Sequence, residues 1–170
     1  MYPATNADAP VAVWLNGGPG ASSTFANFLF SGPMRIRQKT ADPSSGKGAF
    51  EAYTTQENWL DQATMIYIDQ PVGTGFSYTL DPKQEEDYLE DMNAAAGEFV
   101  QLMKNLYATF PELASKPLYM TGESYAGKYI PKFSYELLQQ TDVTFDLKAS
   151  LIGDPYTAPL TQRTHTYLVP

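Results

Sequence analysis

The stretch LYMTGESYAGKYI, residues 118–130, admits two chemistries. Gly122-Glu123-Ser124-Tyr125-Ala126-Gly127 has the form of a tight turn that presents a serine nucleophile. The same letters read Gly122, four residues, then Gly127-Lys128, close to a phosphate-binding loop. That loop requires Ser or Thr after the Lys, so that a hydroxyl can hold magnesium, and Tyr129 stands there instead. Glu123 would also put a carboxylate inside the phosphate cradle, where like charges repel.

The nucleophile reading has neither defect. A strand over Leu118 to Met120, a turn flanked by Gly122 and Ala126, and a helix starting just after Ser124 would hold the hydroxyl at the carboxyl end of a sheet. The Tyr125 N–H then lies beside it as half of an oxyanion hole. The other half calls for a backbone N–H from a loop after a neighbouring strand, and Asn16-Gly17-Gly18-Pro19-Gly20, following VAVWL, is such a loop. Glycine lets that backbone come close to a substrate, and Pro19 fixes its path.

Four apolar runs must position these residues: PVAVWLNGG, ATMIYIDQPVGTG, KPLYMTGES and LKASLIGDP. Each stops abruptly at Gly, Pro or an acidic residue, as buried strands delivering loops do. Between the second and third, Tyr88, Met92, Ala95, Phe99 and Leu106 recur at helical spacing. There the acidic run Gln84 to Asp91 reads as a solvated helix start, Lys104 suits the carboxyl end, and Pro111 marks the stop. Between the third and fourth, YAGKYIPKFSYELLQQT predicts a helix from Ser124 onward and, past Pro131, a second helical piece. Strand and helix in alternation imply an α/β fold, a mostly parallel sheet covered by helices.

Residues 34–58 are polar, with a turn expected at Asp42-Pro43-Ser44-Ser45-Gly46, and read as a surface excursion from a single domain spanning 1–170. Asp69-Gln70-Pro71 and Gly73-Thr74-Gly75 terminate a strand and wall the site, and Phe25, Phe28 and Phe30 read as core or pocket lining.

Composition narrows the partners. A formal charge of −8 with no block of Lys or Arg argues against nucleic acid or an anionic membrane surface. Zero cysteines exclude disulfides, a thiol nucleophile and cysteine-ligated metal. No apolar run is long enough to span a bilayer, and the first residues have neither the basic start nor the apolar core of a signal peptide. No cofactor is called for.

VWLNGGPGASS, IDQPVGTGFSY and YMTGESYAGKYIP together resemble the three signature segments of the serine carboxypeptidases, with a flavour of the vitellogenic-like branch. LKASLIGDP is similar to the strand after that family's nucleophile helix. The resemblance runs over roughly residues 9–160 and implies an α/β-hydrolase core, here incomplete at both ends. It makes Ser124 the acylating nucleophile, Gly18 and Tyr125 the oxyanion-hole donors, and Trp14, Asn16, Gly17 and Glu123 the group that receives the free carboxylate of a peptide. An acid meeting a substrate carboxylate shares a proton with it, since two like charges in contact do not both ionise, so mildly acidic conditions are expected to suit the reaction. The resemblance also implies a lysosomal, vacuolar or secreted location and a peptide or protein C-terminus as substrate.

Two positions depart from the pattern. Phe30 stands where members commonly place a second Glu, and Ala21 where a disulfide cysteine commonly sits. A triad also needs a base and an orienting acid, in the chain order Ser, Asp, His. His165 reads as a surface-loop residue, and Asp142, Asp146 and Asp154 fall outside the family's aspartate motif. The family's matching Asp and His lie beyond position 170, to be supplied by a longer polypeptide or a complementary chain. A non-catalytic remnant used in binding or assembly, and an acyltransferase or lyase on the same fold, stand as alternatives.

Overall fold

The computed structural model describes residues 1–39, 50–81 and 88–165. In chain order its elements are β1 (Val11–Leu15), α1 (Thr24–Leu29), β2 (Met34–Gln38), β3 (Phe50–Thr54), β4 (Thr64–Tyr67), α2 (Met92–Thr109), β5 (Leu118–Glu123), α3 (Ala126–Leu138), β6 (Leu147–Gly153) and α4 (Pro159–His165).

β1 is apolar at every position because it is buried on both faces. It lies inside a parallel sheet ordered β4-β1-β5-β6, with Val13 opposite Ile66 on one side and Met120 on the other. Each of the four apolar runs read from the sequence supplies one of these strands. This register brings the carboxyl ends of β1 and β5 level, Leu15 facing Gly122, so the loops after them meet.

α2 and α3 cover one face. Phe99 and Phe133 stack with centroids 4.5 Å apart, over Val13, Leu15 and Met120 in a continuous core. Burying each such side chain is worth roughly 1.5–3 kcal/mol. A smaller cluster of Ala12, Trp14, Ala26, Ala63 and Met65 fills the opposite face. Tyr2 bridges antiparallel to Met65 along the outer side of β4.

α2 begins at Met92, capped by the Asp91 carboxylate, which accepts from the N–H groups of Asn93 (2.6 Å) and Ala94 (3.0 Å). Residues 84–87 of the acidic run lie outside the described residues. Lys104 falls short of the last turn of the helix and pairs with Asp142 at 2.8 Å.

The expected break at Pro131 does not occur. α3 runs unbroken through it, with Tyr129, Ile130, Phe133 and Leu137 buried along one side. Proline there forfeits one helical hydrogen bond, and packing of the buried face holds the helix together.

Within the polar stretch 34–58, β2 and β3 pair as an antiparallel ribbon, Ile36 opposite Ala52. The turn expected at Asp42–Gly46 lies outside the described residues. The Arg35 guanidinium ties the base of the ribbon to the carbonyl oxygens of Phe30, Gly32 and Glu57.

Candidate active site

Ser124 stands at the junction of β5 and α3 with φ of 59°, the left-handed region that costs a non-glycine residue roughly 1–2 kcal/mol. Three backbone hydrogen bonds hold it there. Its N–H donates to the Gly153 carbonyl (3.0 Å), and its own carbonyl accepts from the N–H groups of Gly127 (3.0 Å) and Tyr156 (2.9 Å). Strain fixed by surrounding bonds is a common property of sites that present a reactive group.

The loop after β1 lies directly against this turn. A Cβ on Gly17 would collide with the Tyr125 backbone nitrogen and stand 2.8 Å from the Ser124 Cβ, so glycine alone permits the approach. Gly18 follows with φ of 110°. Further along, burial raises the Tyr129 phenol pKa, and an N–H from Gly20, which opposes that rise, joins the loop to α3. Among the described residues, neither the Gly18 nor the Tyr125 N–H is donated to another protein group. Gly18, Pro19, Ser124, Tyr125, Asp154 and Tyr156 line one open cavity of about 450 Å³. A serine hydroxyl flanked by two unspent backbone donors can take up an acyl group and stabilise the oxyanion that forms.

Beside it is a second polar group. The Trp14 indole N–H donates to Asn16 Oδ1 at 2.7 Å, leaving the Asn16 amide nitrogen to face Glu123 Oε1 at 3.4 Å. The Asn16 backbone N–H donates to Ser23 Oγ (3.1 Å), whose hydroxyl donates to the Ile68 carbonyl (2.5 Å). Trp14 is itself wedged edge-on between Phe30 and Trp59, each with its centroid 5.4 Å away. An amide and an acid converging in this way can receive a carboxylate, provided one proton is shared.

Asp69 stitches the neighbouring loops together. Its carboxylate accepts from the Ser22 hydroxyl (2.7 Å) and from the Phe76 N–H (2.9 Å). Phe30, read from the sequence as core or lining, is 43% exposed on the flank of Trp14, and Phe25 is 58% exposed.

All seven residues expected at the site thus meet at the carboxyl ends of β1 and β5. His165 does not join them: it is exposed at the end of α4, rather than in a loop, with Nδ1 2.7 Å from the Thr161 carbonyl oxygen. Of the three later aspartates, Asp142 pairs with Lys104 and Asp146 with Lys148 (2.6 Å), while Asp154 lines the Ser124 cavity. Sequence reasoning missed Tyr156, whose ring stacks on Tyr125 at 6.3 Å. The signal was the Gly-Asp-Pro that ends β6, which points the following backbone at the elbow. Trp59 was also missed, since nothing in the polar segment around it marks a partner.

Comparison with known proteins gives the chain's family. The family model described as serine carboxypeptidase matches residues 2–169. The pheromone-processing carboxypeptidase of Ogataea parapolymorpha is 38% identical over 147 residues, 86% of this chain and 22% of the relative. The vitellogenic carboxypeptidase of Aedes aegypti is 37% identical over 155 residues, 91% of this chain and 30% of the relative. The crystal structure of a prohormone-processing carboxypeptidase from Saccharomyces cerevisiae superposes with a TM-score of 0.79 at 36% identity, covering 96% of this chain and 34% of that one. The chain therefore spans between a fifth and about a third of the length of these relatives.

Proposed function

The chain belongs to the serine carboxypeptidase family, and on that premise we propose that it carries the nucleophile half of a serine-type carboxypeptidase acting on peptide C-termini through Ser124. Ser124 Oγ attacks the last amide carbonyl while a base removes its proton. The carbonyl oxygen becomes an oxyanion between the Gly18 and Tyr125 N–H groups. Collapse of that intermediate breaks the C–N bond, the base returns its proton to the departing amine, and the peptide remains as an ester on Ser124. Water then attacks the ester by the same route, releasing the shortened peptide. Asn16, Gly17 and Glu123 hold the free carboxylate of the departing residue, with Trp14 orienting Asn16. The base and its orienting acid come from polypeptide outside these residues, in the same or a complementary chain.

The observation that supports this reading is the packing of Gly17 on the Ser124 turn, with the Asn16 amide nitrogen facing Glu123 beside it. A lysosomal, vacuolar or secreted setting fits the expected preference for mild acidity. Among the described residues no helix is long and apolar enough to cross a membrane.

The test is a pair of peptides, identical except that one ends in a free carboxylate and the other in an amide, given to the longest natural polypeptide containing these residues. Mass spectrometry is expected to show the first shortened one residue at a time and the second left intact. Equal cleavage of both, or internal cleavage, would contradict the reading.

A further inference from the structure

Asp154, immediately after β6, has φ of 41°, a left-handed conformation that Ser124 shares. Two backbone hydrogen bonds bracket it, and both end on the serine. The Ser124 N–H donates to the Gly153 carbonyl (3.0 Å), and the Tyr156 N–H donates to the Ser124 carbonyl (2.9 Å). β5 and β6 run parallel with Glu123 opposite Gly153, so Ser124 and Asp154 are the next pair along strands that lie about 4.8 Å apart. An aspartate in such a turn ordinarily accepts hydrogen bonds from nearby backbone N–H groups. Asp154 does not: it is exposed, and its carboxylate makes neither hydrogen bond nor ion pair among the described residues.

Its charge therefore acts on whatever enters the cavity of Ser124, which Asp154 lines. No Lys, Arg or His is among that cavity's walls. The Tyr125 and Tyr156 rings also line it, 6.3 Å apart and nearly parallel, and an aromatic face attracts a cation. An adjoining hollow of about 250 Å³ shares Pro19 and Tyr125 with this cavity and adds Glu90 and Asp91, again with no cation. Neither Asn16 nor Glu123 lines either space. For a peptide held by its carboxylate at that pair, these hollows lie on the acyl side.

We propose that Asp154 selects a cationic side chain, lysine or arginine, on the residue whose carbonyl acylates Ser124, and disfavours an anionic one. The proposal rests on Ser124 being the acylation site. A carboxylate and a cation about 7 Å apart near the protein surface attract strongly enough to change a rate about tenfold. The cation also offsets the repulsion between Asp154 and the oxyanion, so the gain falls on acylation.

The test measures acylation of Ser124 in the longest natural polypeptide containing these residues, using nitrophenyl esters of N-acetyl lysine, norleucine and glutamate. Each rate is normalised to the ester's spontaneous hydrolysis. These esters offer an acyl-side residue and no free terminal carboxylate, so the Asn16 and Glu123 group plays no part. Lysine is expected to react about tenfold faster than norleucine, and glutamate about tenfold slower. Asp154→Asn keeps a residue suited to the left-handed conformation and is expected to bring the three rates within about twofold of one another. Equal rates in the unaltered polypeptide, or the same ranking kept by Asp154→Asn, would overturn the proposal. Should Asp154→Asn fail to fold, salt decides on the unaltered polypeptide: about 1 M salt is expected to screen most of the preference away, and a ranking that salt leaves untouched would overturn the proposal. A Ser124 that no ester acylates removes the carboxypeptidase reading and this preference with it, whereas acylation without a charge ranking removes the preference alone.

Discussion

Trp14 and Asn16 point the same way from β1 and its loop, and the 2.7 Å bond from indole N–H to carboxamide oxygen decides which end of Asn16 faces Glu123. Trp14→Phe keeps a ring between Phe30 and Trp59 and deletes only that donor. The buried Asn16 oxygen then loses its partner, a loss of about 1–2 kcal/mol. In the active polypeptide KM for peptides with a free carboxylate is expected to rise about tenfold, while hydrolysis of small esters without one stays unchanged. Steady-state kinetics on both substrates check this.

Gly17→Ala tests the approach of the two loops. The new Cβ would stand 2.8 Å from the Ser124 Cβ and in the path of the Tyr125 nitrogen, so one loop must withdraw. Loss of an oxyanion donor costs about 10²–10³ in rate, and acylation of Ser124 by an activated ester is expected to fall by that order. Stopped-flow measurement of the burst reads it directly.

Tyr107 lies buried on α2 against Phe145, with its hydroxyl unpartnered among the described residues. Burial, and then the Asp146 carboxylate, push its phenol up to about 12. A raised pKa on an acid means that the folded state prefers the neutral form. The corresponding stability is therefore whole below the unfolded value near pH 10 and is lost as pH rises toward 12, roughly 2–3 kcal/mol in all. Tyr107→Phe is expected to hold or raise the melting temperature at neutral pH and to abolish that alkaline loss. Thermal melts from pH 7 to about 12 check both parts.

Asp91 bears on acid stability with the opposite sign. Its carboxyl is held below the usual range by the N–H of Ala94 and then of Asn93, so its contribution is present above the unfolded value and is lost as pH falls through the folded one. Asp91→Ala is expected to lower the melting temperature at neutral pH and to flatten its decline in acid, as read by calorimetry across that window.

Much of this site was legible because backbone requirements are written in residue type. An apolar run that stops at glycine gives a buried strand and its loop, and Gly122, Ser124 and Ala126 admit one turn between strand and helix. Pro131 misled because local rules weigh a missing hydrogen bond and not the buried face that Ile130, Phe133 and Leu137 present to the sheet. Trp59 could not be foreseen for a different reason. It reaches Trp14 through a short turn capped by Asn58 and through its own N–H bond to the Ser31 carbonyl (3.0 Å), contacts across sequence that no periodicity announces. Gln70 reads as a strand terminator, and its amide is buried without a partner among the described residues, unlike the Asp69 carboxylate.

Whether this turn presents a serine for acylation can be read by treating the longest natural polypeptide containing these residues with a fluorophosphonate at mildly acidic and neutral pH, then locating the adduct by peptide mapping. A single adduct on Ser124 is expected, lost in Ser124→Ala and slowed in Gly17→Ala. An unlabelled Ser124, or labelling that survives Ser124→Ala, would contradict it.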